Sequence, residues 1–384
     1  MIYFDNAAST AIHPEVVKEM LPYLNTQYGN TSSIHQFGRK AKNAIQKARK
    51  QVAALIGAEA NEILFTSGGT ESNNTILRGI TSDGSNHIIT SSIEHEAVLE
   101  PCRYLEKNGV KVTYLPVDEY GMINPNDIIN SIDSQTVLVS IMFANNEVGT
   151  IQPIKEISKI CNQYQIPLHT DAVQAAGKVP INIKDLGINA LSISSHKING
   201  PKGVGALFIK KGLTITPEIL GGGQENGMRS GTENVASIVG FGKACEIAQE
   251  GLSKNTSHFQ TLHHSILSKI VKEIPYVKLN GHSEKRIFNN IHLTFLGVNG
   301  EDLIIKLDEN EIAASTGSAC SVHTQKASHV LKAMGFNHEQ ITGSLRMSFG
   351  YMNTLDEVQQ VVEVLKKVVS ELRSVSPYKT KYNF

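Results

Sequence analysis

The chain has 384 residues, 40% of them hydrophobic and 19% charged, with 36 Lys+Arg balanced by 36 Asp+Glu. That length is enough for two domains with a sizeable core, and the balanced charge excludes a global field that would draw in nucleic acid or an anionic membrane. The first residues, Met1-Ile2-Tyr3-Phe4-Asp5, carry no basic stretch ahead of an apolar core, and no apolar run reaches spanning length, so a cytoplasmic setting without membrane or nucleic-acid partners is expected. The four cysteines, Cys102, Cys161, Cys245 and Cys320, are scattered without paired ligand spacing. They predict free thiols and neither a disulfide framework nor a zinc site.

After a short extended entry, residues 14–24 place Val17, Met20, Leu21 and Leu24 at helical spacing behind Pro14. A longer helix is predicted over 33–56 from Ala41, Ala44, Ile45, Ala48, Val52 and Leu55, stopped by Gly57. From 62 to 209 short apolar runs alternate with helical segments, giving strand candidates at 63–65, 87–89, 112–115, 136–143, 166–169, 191–193 and 204–209. The expected fold is therefore α/β: a mostly parallel seven-stranded sheet sandwiched by helices, with ligands bound beyond the carboxyl ends of its strands. Near Gly251 the pattern changes to a helix at 252–273, strands at 277–279 and 287–295, a helix at 301–310, strands at 312–315 and 345–349, and a last helix at 355–373. This reads as a smaller α+β C-terminal domain. The division expected is a large domain over 13–250 and a small one made of 1–12 and 251–384, with an aperiodic and disordered tail from 374.

The chemically suggestive residues fall at strand ends. Lys197 lies in Ser194-Ser195-His196-Lys197-Ile198-Asn199-Gly200-Pro201 between two apolar runs, and by itself reads either as a surface-loop lysine or as a partly desolvated amine suited to carrying an aldehyde cofactor covalently. Gly68-Gly69-Thr70, opening a helix after a strand, read on their own either as a simple helix N-cap or as a cup for a phosphate made of backbone N–H groups, the helix dipole and a hydroxyl. Asp171, at the end of a buried strand, needs a cationic partner such as a protonated ring nitrogen. His95 is placed to stack on a ring and move protons, and Asn145 to bond a ring hydroxyl or a substrate carboxylate. Thr232, in the glycine-rich loop Arg229-Ser230-Gly231-Thr232, is a second phosphate candidate. Arg346 is suited either to a substrate α-carboxylate or to a structural salt bridge. Cys320 stands apart from the other cysteines, which lie in helical patterns, because Gly317-Ser318-Ala319-Cys320 is a small-residue loop that suits a nucleophilic thiolate.

Taken with Tyr3-Phe4-Asp5-Asn6-Ala7-Ala8, Ser67-Gly68-Gly69-Thr70-Glu71-Ser72-Asn73, Asn145-Asn146-Glu147-Val148-Gly149 and Thr170-Asp171-Ala172-Val173-Gln174, these residues make the chain resemble the cysteine desulfurases of the NifS/IscS type, within the class V aminotransferases of fold-type I. The resemblance implies pyridoxal 5'-phosphate as cofactor and a homodimer. It makes Lys197 the covalent anchor and base, sets Asp171 against the pyridine nitrogen and Gln174 on the ring hydroxyl, and gives the phosphate to Gly69, Thr70, Ser194, His196 and, from a neighbouring subunit, Thr232. His95 would stack and transfer protons, while Asn145 and Arg346 would position L-cysteine. Cys320 would take the substrate's sulfur as a persulfide, releasing L-alanine, and no metal is implied beyond Cys320 as a transient iron–sulfur ligand. The sulfur would pass to an iron–sulfur scaffold or another acceptor protein. The alternatives are a selenocysteine lyase or other class V enzyme, and an inactive scaffold or sulfur-transfer adaptor. The residues after Cys320, Ser321-Val322-His323-Thr324, depart from the housekeeping members and leave the acceptor open.

Overall fold

The computed structural model describes residues 1–81, 86–317 and 327–382. The chain opens with strand β1 (Ile2–Tyr3), helix α1 (Pro14–Asn25) and helix α2 (Gln36–Ile56). Helix α2 buries the predicted stripe and ends at Gly57, whose φ of 74° lets its N–H reach the carbonyls of Ala53 and Ala54. Alternation follows: β2 (Ile63–Thr66), α3 (Gly69–Ile80), β3 (His87–Ser91), α4 (Glu96–Lys107), β4 (Lys111–Leu115), α5 (Pro125–Ser131), β5 (Thr136–Ser140), α6 (Ile154–Gln163), β6 (Leu168–Asp171), α7 (Ile183–Leu186), β7 (Ala190–Ser194) and β8 (Gly205–Ile209).

These strands form the expected seven-stranded sheet in the order β2-β8-β7-β6-β5-β3-β4. Strand β8 runs antiparallel to both of its neighbours, and every other pairing is parallel. Successive residues of a strand point to opposite faces, so Leu64, Ile88, Leu138 and Leu207 join one apolar cluster with α3 and α4 while Phe65, Ile89, Val139 and Phe208 join another with α2 and α6. Helices thus cover both faces, which explains why the strands read as continuous apolar runs.

Helix α8 (Val235–Glu273) is 39 residues long and begins well before the predicted start at 252. A Cβ on Gly240 would meet the Met20 sulfur at 2.6 Å, and one on Gly242 would meet the Ala48 Cα at 2.6 Å. These glycines let α8 cross α1 and α2 closely; read alone they resemble breakers. Its first half packs into the cluster around Phe241, Ala244 and Cys245, and its second half, through Phe259, Leu262 and Ile266, into a separate core.

That second core holds β9 (Val277–Leu279), β10 (Asn290–Phe295), α9 (Gly300–Glu309), β11 (Ile312–Ala313), β12 (Ser344–Ser348) and α12 (Leu355–Ser374) around an antiparallel sheet of order β12-β10-β9, while the short α10 (His329–Ala333) and α11 (His338–Thr342) pack through Val330, Leu331 and Ile341 into a smaller cluster with Ile93, Met142 and Val148. Strand β1 pairs parallel with β11, and Phe4 is fully buried against Phe349. The tail differs from the expected disorder: α13 (Lys379–Tyr382) is held by an ion pair of 2.6 Å from Lys381 to Glu339. No helix among the described residues is long and apolar enough to cross a membrane.

Candidate active site

The carboxyl ends of the parallel strands open into a cavity of about 280 Å³. Nine of the predicted residues line it: Gly69, Thr70, His95, Asp171, Gln174, Ser194, His196, Lys197 and Arg346. The rest of the wall includes Ala7, Ala8, Asn73, Asn146 and Gly317.

At one end stands the first turn of α3. Its N-cap, Gly68, offers no side-chain hydrogen bond, so the first N–H groups of the helix face the cavity beside the Thr70 and Ser194 hydroxyls. Gly69 is required by packing, because a Cβ there would sit 2.7 Å from Val173 Cγ2. Two ion pairs bring the glycine-rich loop near this end: Arg229 Nε donates to Glu71 Oε1 at 2.9 Å, and Arg49 NH2 to Glu225 Oε1 at 2.5 Å. Thr232 itself is exposed and lies outside the cavity wall.

In the middle, the buried Asp171 accepts from Asn73 Nδ2 at 2.7 Å and from the Val173 N–H at 2.9 Å. No cation among the described residues pairs with it, so its charge is held by neutral donors and open to a cationic ligand. Asn73, on the inward face of α3, is a site residue that was not singled out; its signal was only its place four residues after the glycine pair. Across from it, His95 caps α4, its Nδ1 accepting from the Ala97 N–H at 3.0 Å. That bond assigns the remaining ring proton to Nε2. Burial holds this imidazole below its usual range, against the pull of Asp171 and with the help of the Lys197 charge. His196 is pushed down to about 4, first by burial and then by Lys197, Lys202 and Lys178. Lys197, in the turn after β7, donates to the carbonyls of Ala7 at 2.5 Å and Ala8 at 2.8 Å. The N-terminal segment is thereby fastened over the lysine.

At the far end, Arg346 of β12 donates through NH1 to the carbonyls of Asn146 at 3.0 Å and Gly317 at 3.1 Å, and through NH2 to Asp5 Oδ1 at 3.0 Å. Its Nε is buried without a partner among the described residues. Arg346 therefore makes the structural salt bridge and also lines the cavity. Ser328 donates to the buried Glu147 Oε2 at 2.6 Å, and a Cβ on Gly317, which lines the cavity, would lie 3.3 Å from that same oxygen. Cys320 lies outside the described residues. Cys102, Cys161 and Cys245 are buried as expected, and burial pushes the first two thiols up to about 12.

One assignment is corrected. Asn145 does not reach the cavity: its Nδ2 donates to the Ile93 carbonyl at 3.0 Å, and its Oδ1 accepts from the N–H groups of Glu147 at 2.8 Å and Val148 at 3.0 Å. The side chain is fully buried and spent on building the turn, which directs the next residue, Asn146, into the cavity wall.

The donor set fits pyridoxal phosphate. An uncapped helix N-terminus with two hydroxyls suits a phosphate, a buried unpaired carboxylate suits a pyridinium nitrogen, and a half-buried lysine amine lies between them. A parallel sheet with such a site at its switch end defines a fold-type I enzyme, and residues 2–361 match the family described as "Aminotransferase class-V". The chain belongs to that family, whose members work with pyridoxal phosphate. It is 51% identical to "Cysteine desulfurase IscS" of Methanosarcina thermophila over 98% of this chain and 94% of that one. It is 47% identical to the protein of the same name from Dictyoglomus turgidum, over 99% and 98% of the two chains. A solved structure titled "NIFS-LIKE PROTEIN" superposes with a TM-score of 0.91 at 38% identity, covering 96% of this chain and 99% of its own.

Proposed function

We propose that this chain is a pyridoxal phosphate-dependent cysteine desulfurase, converting L-cysteine to L-alanine and passing the sulfur to Cys320 as a persulfide. The observation that carries the reading is the convergence of Lys197, Asp171, His95 and Arg346 on one cavity whose wall includes Gly317, three residues before Cys320. Three residues of chain span at most about 11 Å, within reach of that cavity. The high identity to proteins named cysteine desulfurase supports it.

When bound, pyridoxal phosphate supplies an electron sink for the bond broken at the substrate's α carbon. Thr70, Ser194, His196 and the first turn of α3 would hold its phosphate, Asp171 would keep its ring nitrogen protonated, and Gln174 would donate to its ring oxygen. Lys197 would anchor it covalently, and its amine, when free, would take the substrate's α-proton. The guanidinium of Arg346 and the amide of Asn146 orient the substrate carboxylate. His95 presents Nε2–H toward the reacting atoms as a neutral proton donor. Cys320, as a thiolate, forms the new sulfur–sulfur bond as the substrate's carbon–sulfur bond breaks.

The working unit is a homodimer in the cytoplasm. Ile34 (90% exposed), Leu220 (79%) and Tyr28 (74%) are apolar side chains left open on the single chain. Thr31 of the same region donates to Glu233 at 2.7 Å, next to Thr232, which supports Thr232 serving a neighbouring subunit's phosphate site. The division into 13–250 and 1–12 with 251–384 assigns the cavity to the contact between two domains, and the sulfur goes on to an iron–sulfur scaffold or another acceptor protein. Equal yields of alanine and sulfide from L-cysteine in the presence of a reductant test the reading, with Lys197→Ala expected to abolish both. Turnover of selenocysteine alone contradicts it.

A further inference from the structure

Lys178 is 8% exposed and lies in the turn following Asp171, where Gly177 at φ 70° packs against Ile198 and Ala248. A buried lysine is costly unless its charge or its donors are used. Its Nζ makes one hydrogen bond among the described residues, to Gln174 Oε1 at 3.1 Å, and no described carboxylate pairs with it. The other end of the same amide, Gln174 Nε2, donates to the Ala7 carbonyl at 2.9 Å, and Lys197 Nζ donates to that carbonyl at 2.5 Å. A continuous chain of polar contacts thus runs from Lys178 through Gln174 and Ala7 to Lys197.

We infer that Lys178 is a positioning residue: by binding Gln174 Oε1 it fixes the amide with its NH2 toward the cavity and polarises those N–H bonds as donors to the cofactor's ring oxygen. A carbonyl held by an amine donor makes the amide's own N–H groups stronger donors, because hydrogen bonds in a chain polarise one another at low dielectric. Burial, with the charges of Lys197 and Arg346, brings the Lys178 amine down to about 7, and in either protonation state it keeps an N–H for Gln174. The titratable and charged groups facing the cofactor cavity are His95, Asp171, His196, Lys197 and Arg346, and those lining the adjoining cavity with Lys178 are His13, Lys197, Lys254 and Tyr351.

The inference rests on the pyridoxal phosphate reading, and cofactor uptake by the wild type tests that reading separately. A donor on the ring oxygen competes with the N–H of the neighbouring cofactor–lysine link for that oxygen, so the link holds its proton less tightly. Weakening the donor leaves this proton more tightly held and raises the pH at which the bound cofactor's visible absorption changes. In the holoenzyme, Lys178→Met is expected to raise that midpoint by about half a pH unit or more. Gln174→Ala should raise it as well, and the double variant should go no further than the larger single shift. If Lys178→Met gives no folded holoenzyme, Lys178→Leu, which likewise carries no donor, carries the test in the same direction. Uptake with an unmoved midpoint, or shifts that simply add, overturns the inference while leaving the cofactor reading intact. Failure of the wild type to take up cofactor overturns both.

Discussion

Two adjacent asparagines divide the work of one turn. Asn145 is buried and satisfies the Ile93 carbonyl and two N–H groups, whereas Asn146 is half-exposed and lines the cavity. Asn145→Ala should therefore cost about 1–3 kcal/mol of stability, the cost of leaving buried backbone groups unpaired. Asn146→Ala should leave the melting temperature unchanged and raise KM for cysteine roughly tenfold, the scale of one hydrogen bond to a charged group. Thermal melts and steady-state kinetics on the two variants separate these roles; a KM effect confined to Asn145→Ala contradicts them. The sequence carried the motif but not which asparagine faced inward, because both are polar and only the turn's hydrogen bonds distinguish them. Asp171 and Lys197 were legible because a charged group at the end of an apolar run has few structural uses. Asn73 and Lys178 were not, since an uncharged amide on a helix and one more lysine carry no such signal.

At the scale of the element, the first turn of α3 is shaped by its neighbour as much as by its own sequence. Gly69 faces Val173, which follows Asp171, so the phosphate end and the ring-nitrogen end of the cavity press on each other. Gly69→Ala should push this turn away and weaken cofactor binding by about 1–3 kcal/mol, the usual range for overpacking. Adding Val173→Ala should recover most of that loss, and equilibrium cofactor binding reads both; unchanged affinity in Gly69→Ala contradicts the packing account. Strands and the amphipathic helices stood out in the sequence through periodicity. The first half of α8 did not, because it is buried on most sides and its glycines are set by contact with α1 and α2 rather than by any local turn.

Across the whole molecule, buried ionisable groups set the acid limit. Burial pushes His169, His263 and His292 down to about 3 and His196 to about 4. Below an unfolded value near 6.5 the unfolded chain binds these protons first, so the stability they represent is present above that pH and lost as pH falls through 4 and then 3. Glu94, pushed up to about 8 by burial, has the opposite sign: between about 4.5 and 8 the folded state holds the extra proton, so its contribution grows as pH falls to 4.5 and then stops. From about pH 6.5 to 4.5 the four histidines outweigh the single glutamate, so stability already falls there, and below that interval the histidines are unopposed. Asp133, held low first by its bond from Lys111, adds to the loss there. Melting temperature should begin to drop below about pH 6.5 and keep dropping to about pH 3; a flat profile to pH 3 contradicts this.

The central claim joins this cavity to Cys320. Holoenzyme treated with L-cysteine and then analysed by mass spectrometry should carry one added sulfur on the peptide containing Cys320, in step with alanine release. Cys320→Ser should keep the visible absorption of bound cofactor and form no enzyme-bound sulfur. Undiminished alanine and sulfide production by Cys320→Ser, or added sulfur found only on another cysteine, would contradict the account.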